Sequence, residues 1–297
     1  MTALFALITA ISFGASDYMG GRLSRTQNVA RVTATSQMLA LCIYLMLALV
    51  TPGELNLRGF GFGVVSGVAT VVGLNLFYAA LAQGVVGVVA SVTALMTASI
   101  PAIWSIILKG EHVGSMFILG AAIAAAAIVL LAIPAHAFSH KKSIGKDEKI
   151  DTVKEEGPSM SARVWVQTVC GGLALGVSLI ALSQTGKSSG CWPLVGVGIS
   201  AVVLSVLFAQ LKTGGVLIER SYYKEVLFMM VCMGAAYWAQ LYAARSGALA
   251  VASIVGALYP VPTILLARIF DKEKLSTNQF IGALCALFAI ILIALSK

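Results

Sequence analysis

Charged residues are scarce in this chain: Asp, Glu, Lys and Arg together make up only 11% of its 297 residues. Hydrophobic residues make up 59%, and the mean hydropathy is +0.94. This composition excludes a soluble globular protein, because a folded surface in contact with water needs far more charge. The sequence therefore predicts an integral membrane protein with no room for a large soluble domain.

The residue types that usually hold metals or carry out catalysis are also few. The three histidines, His112, His136 and His140, lie at the end of an apolar run or in a polar segment. The five cysteines are scattered and lack the close pairs of a zinc or redox site. Neither a His-Glu-x-x-His run nor a Gly-x-x-x-x-Gly-Lys phosphate loop is present. We therefore expect no enzyme, no metal and no cofactor, and any transport would have to draw on a gradient.

Ten apolar runs follow one another, each near the roughly 20 residues that cross a bilayer as a helix. They cover residues 2–21, 32–50, 59–82, 85–108, 114–135, 164–183, 192–211, 226–244, 247–270 and 278–296. The fold class predicted from this pattern is an all-α integral membrane protein with ten transmembrane helices. We therefore expect the chain to lie in the lipid bilayer.

A charged segment separates the first five runs from the last five. Residues 136–162 contain five lysines and five acidic residues. Such a segment buries too little apolar surface to offset the entropy of ordering it, so we expect a solvated linker without a site. The predicted domains are a first five-helix repeat at 1–135, the linker at 136–162, and a second five-helix repeat at 163–297.

The two groups of five runs look like copies of each other. When the second group is laid on the first so that Gly176 meets Gly14, Glu273 meets Glu111 without gaps. We refer to this correspondence as the repeat alignment. Because each copy has an odd number of spans, the second copy must enter the bilayer from the opposite side and is therefore inverted. Inverted repeats are typical of transporters.

Several short motifs make the resemblance to a family specific. The chain carries Phe-Gly-Ala-Ser-Asp-Tyr at 13–18, Gly-Glu at 110–111, Lys-Glu-Lys at 272–274 and Tyr-Pro at 259–260. With ten spans in two halves, it resembles the EamA family of the drug/metabolite transporter superfamily. The first half departs from this pattern, because Ala98 stands where the second half has its proline. The resemblance implies a multi-pass protein of the cell membrane that moves a small molecule by alternating access.

Asp17 is the one carboxylate well inside an apolar run. An ionised group there costs several kcal/mol unless it pairs, meets water or stays protonated. Gly14 and Gly21 share its helical face, which indicates that Asp17 points into protein or a cavity. Two interpretations stay open: a site for a proton or a substrate amine, and a structural ion pair with Arg31 at the start of the second span.

Polar residues occupy one face of the third span, at Asn75 and Tyr78, three residues apart. The repeat alignment places Tyr237 and Gln240 on the equivalent face of the eighth span. Polar positions at membrane depth persist where they line water or substrate, which indicates a central cavity between the halves. Hydrogen bonding between helices is the alternative explanation for all four residues.

Two further aromatic residues, Trp238 and Tyr242, are four residues apart on the eighth span. They are suited to form an aromatic wall for an apolar or cationic solute. The alternative is an aromatic belt at the membrane interface.

Prolines interrupt two spans: Pro101 lies in the fourth, and Pro260 and Pro262 lie in the ninth. A proline inside a helix removes a backbone donor and bends the helix. We therefore expect either hinges for alternating access or bends that serve only packing.

The leading functional hypothesis is a gradient-driven carrier, with a proton as the expected coupling ion, that exports a small metabolite such as an amino acid. One alternative is an exchanger like the nucleotide-sugar carriers, although few basic residues lie deep in the spans to neutralise phosphates. Another alternative is a membrane receptor or assembly protein that transports nothing.

Lys and Arg are divided unevenly between the two ends of the spans. Fifteen of the 20 fall on the side of the linker and five on the other. The positive-inside rule would place the linker in the cytoplasm, whereas the EamA resemblance implies that the termini lie there. We attribute the net charge of +8 to these Lys and Arg residues in the loops, so it does not indicate a nucleic-acid partner. Orientation, substrate, direction of flux and oligomeric state stay open at this level.

Overall fold

Helices make up almost all of the computed structural model, which describes residues 1–84, 86–110, 112–132, 161–246, 248–270 and 277–295. These ranges form eleven α-helices and two short 3-10 helices, and they contain no strand. The α-helices are α1 (Thr2–Thr26), α2 (Val29–Val50), α3 (Leu57–Gln83), α4 (Val86–Leu108), α5 (Ser115–Ala132), α6 (Ala162–Ser183), α7 (Trp192–Thr213), α8 (Tyr223–Arg245), α9 (Leu249–Gly256), α10 (Pro260–Phe270) and α11 (Thr277–Leu295). Most of the predicted linker lies outside the described residues, as do Glu111 and Glu273.

Eight helical segments in the described part of the chain are long and apolar enough to cross a membrane. Seven of them correspond to α1, α2, α3, α4, α6, α7 and α8, and the eighth combines α9 and α10 as Leu249–Phe270. The helices α5 and α11 contribute shorter apolar stretches, at Ser115–Leu130 and Phe280–Ile293. The prediction of an all-helical, multi-pass membrane protein is confirmed, and the number of ten spans stays a prediction.

Side chains at the helix ends satisfy backbone groups that have no partner within the helix. Asn28 accepts a hydrogen bond from the Ala30 amide at 3.0 Å, and Asn56 accepts one from the Arg58 amide at 2.8 Å. At its far end α7 stops at Gly214, whose φ of 63° is a left-handed conformation that glycine adopts without strain. These signals explain why the helices begin and end between the apolar runs.

The ninth apolar run, predicted as one span over 247–270, is broken in the structure. Helix α9 ends at Gly256, residues 257–259 form a turn, and α10 begins at Pro260. Proline has no amide hydrogen to continue the preceding helix, so the chain restarts its hydrogen bonding there. Helix α4 instead continues through Pro101 without a break. The two halves therefore bend differently, although their sequences align.

The helices pack in pairs that the repeat alignment relates to each other. This alignment matches α1 with α6, α2 with α7, α3 with α8, α4 with the α9–α10 segment, and α5 with α11. Helix α1 packs on α8, and correspondingly α6 packs on α3. Helix α4 packs on α6, just as α9 and α10 pack on α1. The matched pairs α2 with α7 and α5 with α11 also contact each other directly. Each major contact thus has a counterpart in the other half.

Glycines on α3 and α6 allow the helices of the two halves to approach closely. A Cβ atom on Gly63 would overlap the backbone of Pro193 in α7. A Cβ atom on Gly172 would lie 2.8 Å from the carbonyl oxygen of Thr93 in α4. Gly63 and Gly172 therefore serve contacts inside the bundle, where small residues let backbones approach closely.

Candidate functional site

A cavity of about 60 Å³ lies between the two halves of the bundle. Helices α1, α3 and α4 line it from the first half, and α6, α8, α9 and the turn after α9 line it from the second. These are equivalent helices under the repeat alignment, so the cavity lies where the two repeats meet. Its polar lining residues are Thr9, Asp17, Thr97, Ser178, Tyr237, Gln240, Ser253 and Tyr259.

Asp17 is the one charged side chain among the described residues that line this cavity. It is only 6% exposed, and no described residue donates a hydrogen bond to its carboxylate or pairs with it. Tyr237 and Tyr259 line the same cavity. A buried carboxylate of this kind is suited to hold a proton or to neutralise a cation that enters the cavity.

The suggested ion pair between Asp17 and Arg31 is not seen in the structure. The guanidinium of Arg31 is directed to the end of α7, where Nε donates to Thr213 Oγ1 at 3.1 Å and Nη2 donates to the Thr213 carbonyl at 3.0 Å. These bonds tie α2 to α7. Arg31 thus serves a contact between the two halves, away from the carboxylate in the cavity.

A chain of buried hydroxyl groups lies along the wall of the cavity. Tyr237 Oη is 2.7 Å from Thr70 Oγ1, which is 2.9 Å from Ser178 Oγ, which is 2.7 Å from Ser66 Oγ. The chain joins α8, α3 and α6, and two of its members, Tyr237 and Ser178, also line the cavity. It connects the cavity wall to the packing of three helices from both halves.

Sequence reasoning did not find Ser66 or Thr70, because single hydroxyl residues are common in membrane helices and carry little signal. Ser178 matches Ser16 in the repeat alignment, but matches of serine in membrane helices carry little signal and did not mark it as a site residue. The pairing itself depends on which faces of α3, α6 and α8 meet, and one sequence does not specify that.

The four predicted polar positions do not share one site. Tyr237 and Gln240 line the cavity, and Tyr78 is fully buried beside it. The ring of Tyr78 lies so close to Gly20 that a Cβ atom there would be 2.6 Å from its Cζ. Asn75 lies in a separate groove on the outside of the bundle, where its Nδ2 donates to the Val71 carbonyl at 2.9 Å.

Trp238 and Tyr242 form an aromatic cluster with Phe5 of α1. The ring centroids of Trp238 and Tyr242 are 5.3 Å apart, and each lies within 5.7 Å of the Phe5 ring. Both side chains are half-buried and lie outside the lining of the cavity. The cluster therefore packs α8 on α1 next to the cavity.

Pro262 of the ninth run contacts α1 directly. Pro262 packs against Gly14, and a Cβ atom on Gly14 would lie 2.7 Å from the carbonyl oxygen of Tyr259. Thr263 Oγ1 donates to the Gly14 carbonyl at 3.1 Å and to the Tyr259 carbonyl at 2.9 Å. The break between α9 and α10 thus lies one turn of α1 away from Asp17.

One short motif in the sequence has the spacing of a hydrolase nucleophile elbow, Gly-x-Ser-x-Gly, at residues 186–190. That elbow requires a turn from a strand into a helix. Here the segment forms a 3-10 helix, Lys187–Ser189, in a loop between α6 and α7, and the described residues form no strand. Within those residues, no group of three His, Cys, Asp or Glu side chains is placed to hold a metal.

The helical bundle and its enclosed cavity define a multi-pass membrane protein with a candidate solute site between two similar halves. The EamA-like transporter family matches residues 1–133 and 165–295, and the chain belongs to this family. Membership of this family implies a membrane transporter of the drug/metabolite transporter type.

A solved crystal structure shares the fold. Its title reads only "Crystal structure of protein", its sequence is 16% identical, and the TM-score is 0.68 over 97% of this chain and 96% of the other. No curated protein matches the sequence at a significant level.

Proposed function

We propose that the protein is a proton-coupled carrier of the cell membrane that exports a small metabolite, such as an amino acid or a related polar solute. The observation that carries this proposal is the position of Asp17, a buried carboxylate with no partner among the described residues, in a cavity between the two halves.

The chemistry of Asp17 supports coupling to protons. A carboxyl group is neutral when it holds a proton and negative when it has lost one, and the negative form in a membrane interior needs a compensating charge. An amino group of the substrate supplies that charge. Proton and substrate then compete for one site, and the exit of one accompanies the entry of the other.

The arrangement of the helices supports alternating access by two inverted five-span halves. Each major contact of one half has its counterpart in the other, and both halves line the cavity. The break between α9 and α10 at Pro260 provides a place where one half can bend, because the turn interrupts the backbone hydrogen bonds of a span.

The lining of the cavity argues against a nucleotide-sugar exchanger. Phosphate groups are bound by Arg and Lys side chains, and the described cavity lining contains neither. A phosphate-bearing substrate would therefore face the carboxylate of Asp17 without a neutralising cation.

Flux measurements with the purified chain test the proposal. Proteoliposomes with an imposed pH gradient and an internal pH indicator are exposed to pools of amino acids and other metabolites. We expect one pool to dissipate the gradient saturably, and we expect Asp17→Asn to abolish this response. Glu54→Gln, which changes an exposed loop carboxylate, is the matched control and should behave as the unmodified protein.

A saturable tracer exchange that ignores the pH gradient would overturn proton coupling and leave a uniporter or exchanger. Normal coupled flux by the Asp17→Asn variant would remove Asp17 from the mechanism. Absence of any flux across all pools would favour the receptor or assembly role.

A further inference from the structure

A second, larger cavity opens on the outside of the bundle. It has a volume of about 530 Å³ and lies between α2 and α3 of the first half and α6 and α7 of the second. It shares no lining residue with the central cavity. Leu74 lines the central cavity while its neighbour Asn75 lines this one, so the two cavities lie on different faces of α3. We refer to the second cavity as the lateral groove.

The walls of the lateral groove are apolar and open toward the lipid. Val72, Leu207 and Phe208, on its rim, are 48%, 53% and 41% exposed, which in a membrane means contact with acyl chains. The groove extends along α7 from Leu204 to Lys212, a length of roughly 12 Å at 1.5 Å per residue. It therefore starts at the membrane interface and reaches into the hydrocarbon layer.

Two of the four polar residues that line the lateral groove, Asn28 and Lys212, lie at its interfacial end, while Asn75 lies deeper on α3. Asn28 caps the start of α2, and Lys212 lies in the last turn of α7, where its Nζ lies 4.4 Å from the ring centroid of Phe208. Arg31 is bonded to the adjacent Thr213. No acidic residue lines the groove in the described part of the chain. The mouth is thus positively charged above an apolar channel.

One buried polar atom in the lateral groove has no partner within the described residues. The side-chain oxygen of Gln167, on the first turns of α6, is buried and accepts no hydrogen bond. A buried acceptor without a donor is costly, so a ligand that donates a hydrogen bond here would be favoured.

We propose that the lateral groove binds an anionic phospholipid. Lys212 contacts its phosphate, a headgroup hydroxyl donates to Gln167, and an acyl chain lies along the apolar walls. This occupant fits because the groove combines a cationic mouth at the interface, an apolar channel and an opening to the bilayer. The bound lipid contacts both halves and acts as a structural bridge between α2–α3 and α6–α7.

Native mass spectrometry of the purified full-length chain tests this site. The protein is stripped of lipid in detergent and titrated separately with phosphatidylglycerol and with zwitterionic phosphatidylcholine. We expect one phosphatidylglycerol to be retained in preference to phosphatidylcholine. Lys212→Gln should weaken phosphatidylglycerol about fivefold, the factor for the loss of one cation near an anionic lipid, and Lys212→Arg should restore it.

Two further variants separate a built site from general attraction. Lys224→Gln removes an exposed lysine on the same side of the membrane, outside the groove, and should leave retention unchanged. Ala79→Phe places a ring inside the groove and should abolish retention of both lipids, with circular dichroism as the check on folding. Equal losses in Lys224→Gln and Lys212→Gln, or full retention in Lys212→Gln and Ala79→Phe, would overturn the proposal. The readout is lipid binding and does not depend on transport.

Discussion

Gly14 of α1 lies directly against Pro262 of α10, so closely that a methyl group at position 14 would overlap the proline ring. The equivalent residue of the second half, Gly176, faces Pro101 of α4 with more room, since a Cβ atom there would be 3.5 Å from the proline Cδ. The same small residue thus packs on a proline in both halves, but only one of the two contacts forbids a larger side chain.

This difference predicts unequal effects of two matched substitutions. Gly14→Ala should lower stability by about 1–3 kcal/mol, because overpacking must move α1 away from α10. Gly176→Ala should cost less than about 1 kcal/mol, since its neighbours lie at ordinary contact distances or close to them. Thermal unfolding of both variants in detergent measures the comparison. Equal losses would show that the contact at Pro262 relaxes easily.

Much of the fold follows from hydropathy and proline chemistry. Each apolar run coincides with a helix to within several residues, because unpaired backbone groups are not tolerated in lipid. The run 247–270 differs, since Pro260 marks a bend in the sequence but does not show whether the helix continues or restarts. Pro101 in α4 illustrates the other outcome.

The candidate site was less accessible to sequence reasoning. Asn75 and Tyr237 are equivalent under the repeat alignment, yet Tyr237 faces the cavity and Asn75 faces the lateral groove. Helix order does not explain this, because the neighbours of α3 (α6 and α7) are equivalent to those of α8 (α1 and α2); the difference is that α3 packs more extensively on α7 than α8 does on α2. Helical periodicity identifies a polar face, and only the neighbouring helices decide what that face meets.

The competition between proton and substrate predicts a pH dependence of transport. If the amine binds only the deprotonated Asp17 carboxylate, lowering the pH on the binding side protonates more of that carboxylate and raises the apparent KM. The substitution Asp17→Asn removes the carboxylate that the amine requires, so exchange should be strongly reduced and what remains should be independent of pH, because an amide does not titrate in this range. Initial rates of tracer exchange between pH 5 and 8 provide the measurement. A KM that falls toward acid pH would contradict competition at this site.

The hydroxyl chain predicts an order of effects on stability. Thr70 occupies the middle of the chain, so Thr70→Val removes the hydroxyl group that both Tyr237 and Ser178 contact and should cost about 1–3 kcal/mol. Tyr237→Phe removes only the end of the chain, because Thr70 keeps its bond to Ser178, and should cost less.

The double variant tests whether the two hydroxyls act together. Because Thr70 and Tyr237 share one bond, the double variant should cost less than the sum of the two single changes. Chemical unfolding in detergent measures all three, with Tyr223→Phe, at an exposed position, as the control. Strict additivity would mean that the bond contributes nothing to stability.

Arg31 distinguishes the two interpretations of Asp17. If the two residues formed a structural ion pair, Arg31→Ala and Asp17→Asn would impair the protein in the same way. The structure instead ties Arg31 to Thr213, so Arg31→Ala should lower stability by about 1 kcal/mol through lost hydrogen bonds and leave the response to a pH gradient intact. Arg31→Lys should recover part of the stability, since an ammonium can still reach the Thr213 carbonyl.

Unfolding curves and proton-coupled flux are measured on the same preparations. If Arg31→Ala lost proton-coupled flux at unchanged stability, the interpretation of Asp17 as the ion-pair partner of Arg31 would be restored.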